Sequence, residues 1–183
     1  MIANRIALLA FVAFAPALAG CGWFGGGSNK EAAAAAYCPT PLTVQDANRL
    51  TRFREGGGRD PRDVAFEAVL LQTNAACSIS RNKLDVSVYL QIAVNAGPSV
   101  TPGVTRVPFF VRVIDGNGNV VVGRDEYADY KLSAASPRGM SREELGIKIP
   151  FDQIADAGGY RVAVGLKPTP EELEFNRRAT ARQ

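Results

Sequence analysis

From Leu84 to Asn95 the chain alternates without a slip: Leu84, Val86, Val88, Leu90, Ile92 and Val94 are apolar, and Asp85, Ser87, Tyr89, Gln91, Ala93 and Asn95 between them are mainly polar. A period of two held that long predicts a strand with one buried face and one face toward water. It is the central strand of the expected fold. The same rhythm recurs in Val64, Phe66, Ala68 and Leu70, a run closed by Asn74, and in Cys77 and Ile79 after it. It returns in Val107, Phe109, Val111 and Val113, in Tyr130 and Leu132, in Leu145, Ile147, Ile149 and Phe151, and in Tyr160, Val162, Val164 and Leu166. Turn chemistry separates these runs. Asp115-Gly116-Asn117-Gly118 has the backbone freedom of a tight hairpin, Pro98 and Pro102 mark a loop or sheet crossing, and Ser136 to Met140 reads as a loop. Pro150 keeps its strand at a sheet edge. Gln45 to Phe53 is open between a short helical turn capped by Asp46 and an irregular edge strand. Six or seven short strands with a turn about every ten residues predict an all-β antiparallel sandwich.

Both ends leave the β pattern. After Pro168, Thr169-Pro170-Glu171-Glu172 is a capping box with proline at the first helical position. It predicts a short C-terminal helix with Leu173 and Phe175 against the sandwich and Arg177, Arg178 and Arg182 toward its positive-favouring end. At the other end Asn4 and Arg5 precede an apolar run from Ile6 to Ala15, and Leu18-Ala19-Gly20 is a small-residue exit of the signal-peptide kind. The run is shorter than the roughly 20 residues a membrane span needs. Gly25 to Asn29 has nothing to restrain its backbone, and Ala32 to Ala36 are too few to hold a helix alone. The expected organisation is a signal peptide over 1–20, a lipidated flexible linker over 21–36 and a periplasmic domain over 37–183.

The expectation of lipid rests on a resemblance. Leu18, Ala19, Gly20 and Cys21 match, position for position, the lipobox of bacterial lipoproteins. The resemblance implies diacylglycerol on the Cys21 sulfur, cleavage before Cys21 and acylation of the new amino terminus. Two or three acyl chains make a stable anchor where one is marginal. Trp23 and Phe24 then lie where aromatic rings favour the bilayer interface. Tyr37-Cys38-Pro39, Leu50-Thr51-Arg52-Phe53, Cys77, Thr169 to Leu173 and Asn176-Arg177 together resemble a group of small bacterial lipoproteins, which implies no activity to carry over. Gly159-Tyr160-Arg161-Val162 resembles the last strand pair of immunoglobulin-like and fibronectin-like domains, where a tyrosine bonds back across the corner. That resemblance makes the expected fold an immunoglobulin-like sandwich of about seven strands.

Composition narrows the chemistry. The formal charge of +3 falls to +2 when Arg5 leaves with the first 20 residues, too small a surplus to argue for nucleic acid. There is no histidine, which removes the usual triads, the common zinc sites and the easiest general base. With Cys21 lipidated, Cys38 and Cys77 are the remaining thiols, and an oxidising compartment favours pairing them. Asp115, Asn117, Asn119 and Glu126 have the offsets of a calcium loop, but Val120 stands where that loop needs glycine, and a hairpin explains the turn without an ion. Arg142-Glu143-Glu144 reads as a solvated charge run. Arg49, Arg52, Arg54, Arg59 and Arg62 cluster near Gly56-Gly57-Gly58, with acids interleaved, as a mixed surface.

The resulting expectation is a lipid-anchored binding or scaffolding module of the outer membrane, with the inner membrane as the alternative, facing the periplasm, without catalysis or cofactor. Its partners are the membrane, through the anchor, and an envelope protein complex. The alternative is a carrier of a lipid or small apolar ligand in a pocket between the sheets lined by Phe66, Phe109 and Tyr160.

Overall fold

The structure is a computed structural model that describes residues 29–181. In chain order the elements are α1 (Asn29–Ala36), β1 (Pro41–Thr43), β2 (Arg49–Phe53), β3 (Val64–Ser80), β4 (Lys83–Ala96), β5 (Gly103–Ile114), β6 (Val120–Leu132), β7 (Arg138–Pro150), β8 (Arg161–Leu166) and α2 (Pro170–Thr180). The strands form two four-stranded sheets, the first ordered β1-β8-β5-β6 and the second β2-β3-β4-β7. Every neighbouring pair is antiparallel except β1 and β8, which run parallel.

The alternation of β4 sets the core. Its six apolar residues are buried against Val107, Phe109, Val111 and Val113 of β5, Leu145, Ile147 and Ile149 of β7, and Val162, Val164 and Leu166 of β8. The two inner faces thus share one continuous apolar layer, the arrangement of a β-sandwich. Pro150 does close an edge strand, and Asp115 to Gly118 do turn the β5–β6 hairpin, with Gly118 at φ +87°.

Several expectations need correction. There are eight strands among the described residues, and five are long: β3 has 17 residues, β4 has 14, β6 and β7 have 13 each and β5 has 12. Val64 to Leu70 and Cys77 to Ile79 are one strand, with inward faces of opposite parity. The cause is a β-bulge: Leu70 pairs with Ile92 and Gln72 with Gln91, which leaves Leu71 without a partner. One extra residue moves every later side chain to the other face. Gln45 to Phe53 resolves to β2, an edge strand, with Asp46 in the left-handed region at φ 65° instead of at a helix cap. The loop expected at Ser136 to Met140 gives way to β7 from Arg138 onward, because Arg138, Gly139 and Met140 already pair with Asn95, Val94 and Ala93.

Asn29 to Ala36, expected to belong to a flexible linker, are helical and docked. These eight residues form α1, and Ala34 is 1% exposed, packed into the core beside β3. Five alanines do not hold a helix alone, but docking against a sheet supplies what propensity lacks.

The expected tyrosine corner is displaced as well. Tyr160 packs on the rim of the core without a side-chain hydrogen bond to another described residue, and Tyr130 of β6 makes the cross-sheet tie instead. Its hydroxyl donates to the Ile92 carbonyl at 3.2 Å and shares a hydrogen bond of 2.6 Å with the Ser141 hydroxyl. Burial pushes the phenol pKa up. Gly139 allows this approach, since a Cβ there would lie 2.6 Å from the Tyr130 ring. Tyr130→Phe removes these bonds and keeps the ring, so the expected loss is about 1–2 kcal/mol in urea unfolding. No loss would show that the hydroxyl does not tie the sheets.

Candidate functional site

Cys21, Trp23 and Phe24 lie outside the described residues. The other two cysteines are bonded: Cys38 to Cys77, with Cα atoms 5.6 Å apart. Cys38 follows α1 directly and Cys77 stands in β3 opposite Val86, so the bridge clamps the amino-terminal helix to the second sheet.

The Asp115, Asn117, Asn119 and Glu126 set does not converge. One Asp115 carboxylate oxygen accepts the backbone N–H groups of Asn117 and Asn119, at 2.9 and 2.8 Å, and the other accepts the Asn119 amide at 3.2 Å. The Asn119 backbone bond is the main cause holding this carboxyl below its usual range. Glu126 pairs with Phe109, while Val120 pairs with Ile114 beside the turn. Six residues of strand separate them, roughly 20 Å. The oxygens serve the hairpin, and no group of three or more acidic, cysteine or histidine side chains gathers as a metal site among the described residues.

The arginine cluster is largely neutralised. Arg54 pairs with Asp63 at 2.6 Å, Arg62 with Asp60 at 3.0 Å, and Arg52 with Glu172 of α2 at 2.6 Å. Arg59 lies over the Phe53 ring, 4.9 Å from its centre. Arg142, Glu143 and Glu144 belong to edge strand β7. Phe66 and Phe109, expected to line a pocket between the sheets, are buried in the shared core.

The informative contrast is between the two outer faces. On the first sheet ion pairs cross the outer face. Arg106 bonds Asp129 at 3.1 Å and sits over Tyr127. Arg112 bonds Asp125 and covers Phe110, and Lys167 reaches the same Asp125 at 2.5 Å. Lys167 and then Arg112 hold the Asp125 carboxyl below its usual range.

The outer face of the second sheet differs. Register places Gln72, Gln91 and Arg142 in one row across β3, β4 and β7, and Asn74, Tyr89 and Glu144 in the next. The side chains of Gln72, Tyr89, Arg142 and Glu144 make no hydrogen bond or ion pair with another described residue, and the Gln91 amide meets only the Met140 sulfur at 3.0 Å. Asn74 uses its oxygen on the backbone N–H of Ala75 at 2.8 Å, which leaves its NH₂ group without a partner among the described residues. Between them opens a cavity of about 280 Å³, lined by Gln72, Asn74, Tyr89, Leu90, Gln91 and Arg142. The bulge makes this site. With an unbroken register Gln72 and Asn74 would share the inward parity of Phe66, Ala68 and Leu70. The extra residue turns them out beside Tyr89 and Gln91 and leaves Leu71 52% exposed at their side.

None of these side chains is a nucleophile activated by a base. What the site offers is paired donors and acceptors around one aromatic ring, the equipment of recognition. Its outer-face residues on β4 were visible in the alternation, but the half supplied by β3 was not, because Leu70-Leu71 gives no gap in the apolar run to mark a bulge. Comparison of the chain with protein-family models, with curated proteins and with solved structures gives no match.

Proposed function

We propose that the chain is a lipid-anchored cell-envelope protein, attached through Cys21 to the outer membrane and facing the periplasm. Its sandwich acts as a non-catalytic binding or scaffolding module, an accessory subunit of an envelope complex. The lipobox Leu18-Ala19-Gly20-Cys21 supports the anchor, and the Cys38–Cys77 bond fits an oxidising compartment. The observation that carries the binding role is the contrast between the outer faces: one crossed by the Arg106–Asp129 pair and the Arg112–Asp125–Lys167 cluster, the other with a cavity beside a Gln72 amide and a Tyr89 hydroxyl that bond no other described residue.

We read the sandwich as immunoglobulin-like. β3, β4 and β7 correspond to strands A, B and E, and β5, β6 and β8 to C, C′ and F. The departure is at strand G, whose place beside F is taken by β1 running parallel.

The test compares the full-length chain with a Cys21→Ala form carrying a conventional signal, each captured from crosslinked envelope, with mass spectrometry of the amino-terminal peptide. Acyl mass on Cys21 and a protein partner enriched with the tethered form are the expected results. An unmodified Cys21, or the same recovery from both forms, overturns the reading.

A further inference from the structure

We infer that the cavity beside the Leu71 bulge binds acetamido sugars of a β-1,4-linked glycan chain. The inference rests on the proposed function for where such a chain is met, while the binding chemistry stands on the site alone.

Charge is the first constraint on the ligand. Arg142 is the charged residue that lines the cavity, and Glu144 stands two residues along on the outward side of β7, beside Tyr89, so one charge of each sign lies at or next to the site, and neither has a partner among the described residues. A strongly anionic or cationic ligand would meet its own sign as often as its opposite. A neutral ligand with many donors and acceptors suits both groups, because the guanidinium only donates and the carboxylate only accepts, while a sugar hydroxyl does either.

The amides sharpen this to one class of sugar. Gln72 and Gln91 sit side by side by register, each offering a carbonyl oxygen and an NH₂, and Asn74 adds a further NH₂. The N–H and C=O of an acetamido group lie on opposite edges of its trans amide, so one side-chain carbonyl can accept from the N–H while the NH₂ of a neighbouring amide donates to the C=O. The Tyr89 ring supplies a flat apolar surface for the C–H face of a pyranose, with a hydroxyl at its rim for hydrogen bonding.

The site is also open-ended. Beyond Gln91 the face continues over Ala93, Asn95, Arg138 and Met140, which line a second hollow. Tyr89 to Asn95 spans six residues of strand, roughly 20 Å, so a chain of rings has continuous surface to lie on.

The test titrates the full-length chain, in a detergent without a sugar headgroup, with the β-1,4-linked tetramer of N-acetylglucosamine. Cellotetraose, of the same linkage without acetamido groups, and an uncharged extended peptide are the comparators. Calorimetry is expected to give saturable binding of the acetylated tetramer, weakened about tenfold by Tyr89→Ala and by Gln91→Ala at unchanged melting temperature. The Cys21→Ala form should bind equally, so a failed anchor leaves this result standing, and a failed titration by an acylated protein sinks only the glycan inference. No binding, equal binding of cellotetraose, preference for the peptide, or indifference to both substitutions overturns it.

Discussion

Phe109→Ala is expected to lower the unfolding free energy by about 3–5 kcal/mol. The ring is 1% exposed, on the inward face of β5 within the layer shared by both sheets. Removing it deletes apolar contact and leaves a cavity that stiff sheets cannot collapse to fill. At a size of 150–250 residues each kcal/mol moves the midpoint by about 2–4 °C, so the melting temperature should fall by about 6–20 °C. The experiment also bears on function. A carrier with a loose pocket around Phe66, Phe109 and Tyr160 would tolerate the change at under about 1 kcal/mol, since a side chain lining an open space has few contacts to lose. A small loss would revive the carrier and weaken the case for an outer-face site.

The double replacement of Cys38 and Cys77 by serine is expected to cost about 4 kcal/mol in the chain-entropy model, given a sequence separation of 39. Reduction of the native chain should give a similar loss, seen as an earlier urea midpoint. The loss should also have a definite place. α1 loses its covalent hold on β3, so amide exchange should rise first over Asn29 to Ala36 and in β1, ahead of β4. A uniform rise through both sheets would show that the bond supports the whole sandwich instead of its amino-terminal flank.

How much the sequence revealed depends on how local each signal is. The alternation from Leu84 to Asn95 is a property of twelve consecutive residues, and β4 lies there with the expected face inward. The hairpin at Asp115 to Gly118 and the capping box at Thr169 to Glu172 are equally local. Both boxed bonds form: the Thr169 hydroxyl accepts from the Glu172 N–H at 3.3 Å, and Glu172 accepts from the Thr169 N–H at 2.8 Å. What the capping box did not reveal is that Glu172 is also buried and paired with Arg52, because that partner comes from a strand far away in the chain. Likewise Asn176 reaches back to the carbonyls of Asp46 and Arg49, which fixes α2 beside β2.

The bulge was illegible for a different reason. A residue inserted between Leu70 and Gln72 leaves the local pattern apolar on both sides and changes only the parity of the later positions, which Cys77 and Ile79 record without explaining. Tyr130 in β6 and Tyr160 just before β8 both stand in phase with the apolar positions that neighbour them, and only the approach of Gly139 and Ser141 from the opposite sheet distinguishes the one that bonds. The candidate site inherits these limits: Tyr89, Gln91 and Asn95 were readable as an outward face, whereas Gln72 and Asn74 joined it through the bulge.

The clamp between Cys38 and Cys77 also determines how the protein answers to force. β1 is three residues long and would peel first from β8 if a pull on the amino-terminal end ran along the backbone. The bond lies before β1 and diverts that load into β3, whose ladder with β4 runs from Phe66 to Ser80. Tension then enters the second sheet near the carboxyl end of its longest strand, beside the central one, and the three-residue pairing of β1 with β8 is bypassed.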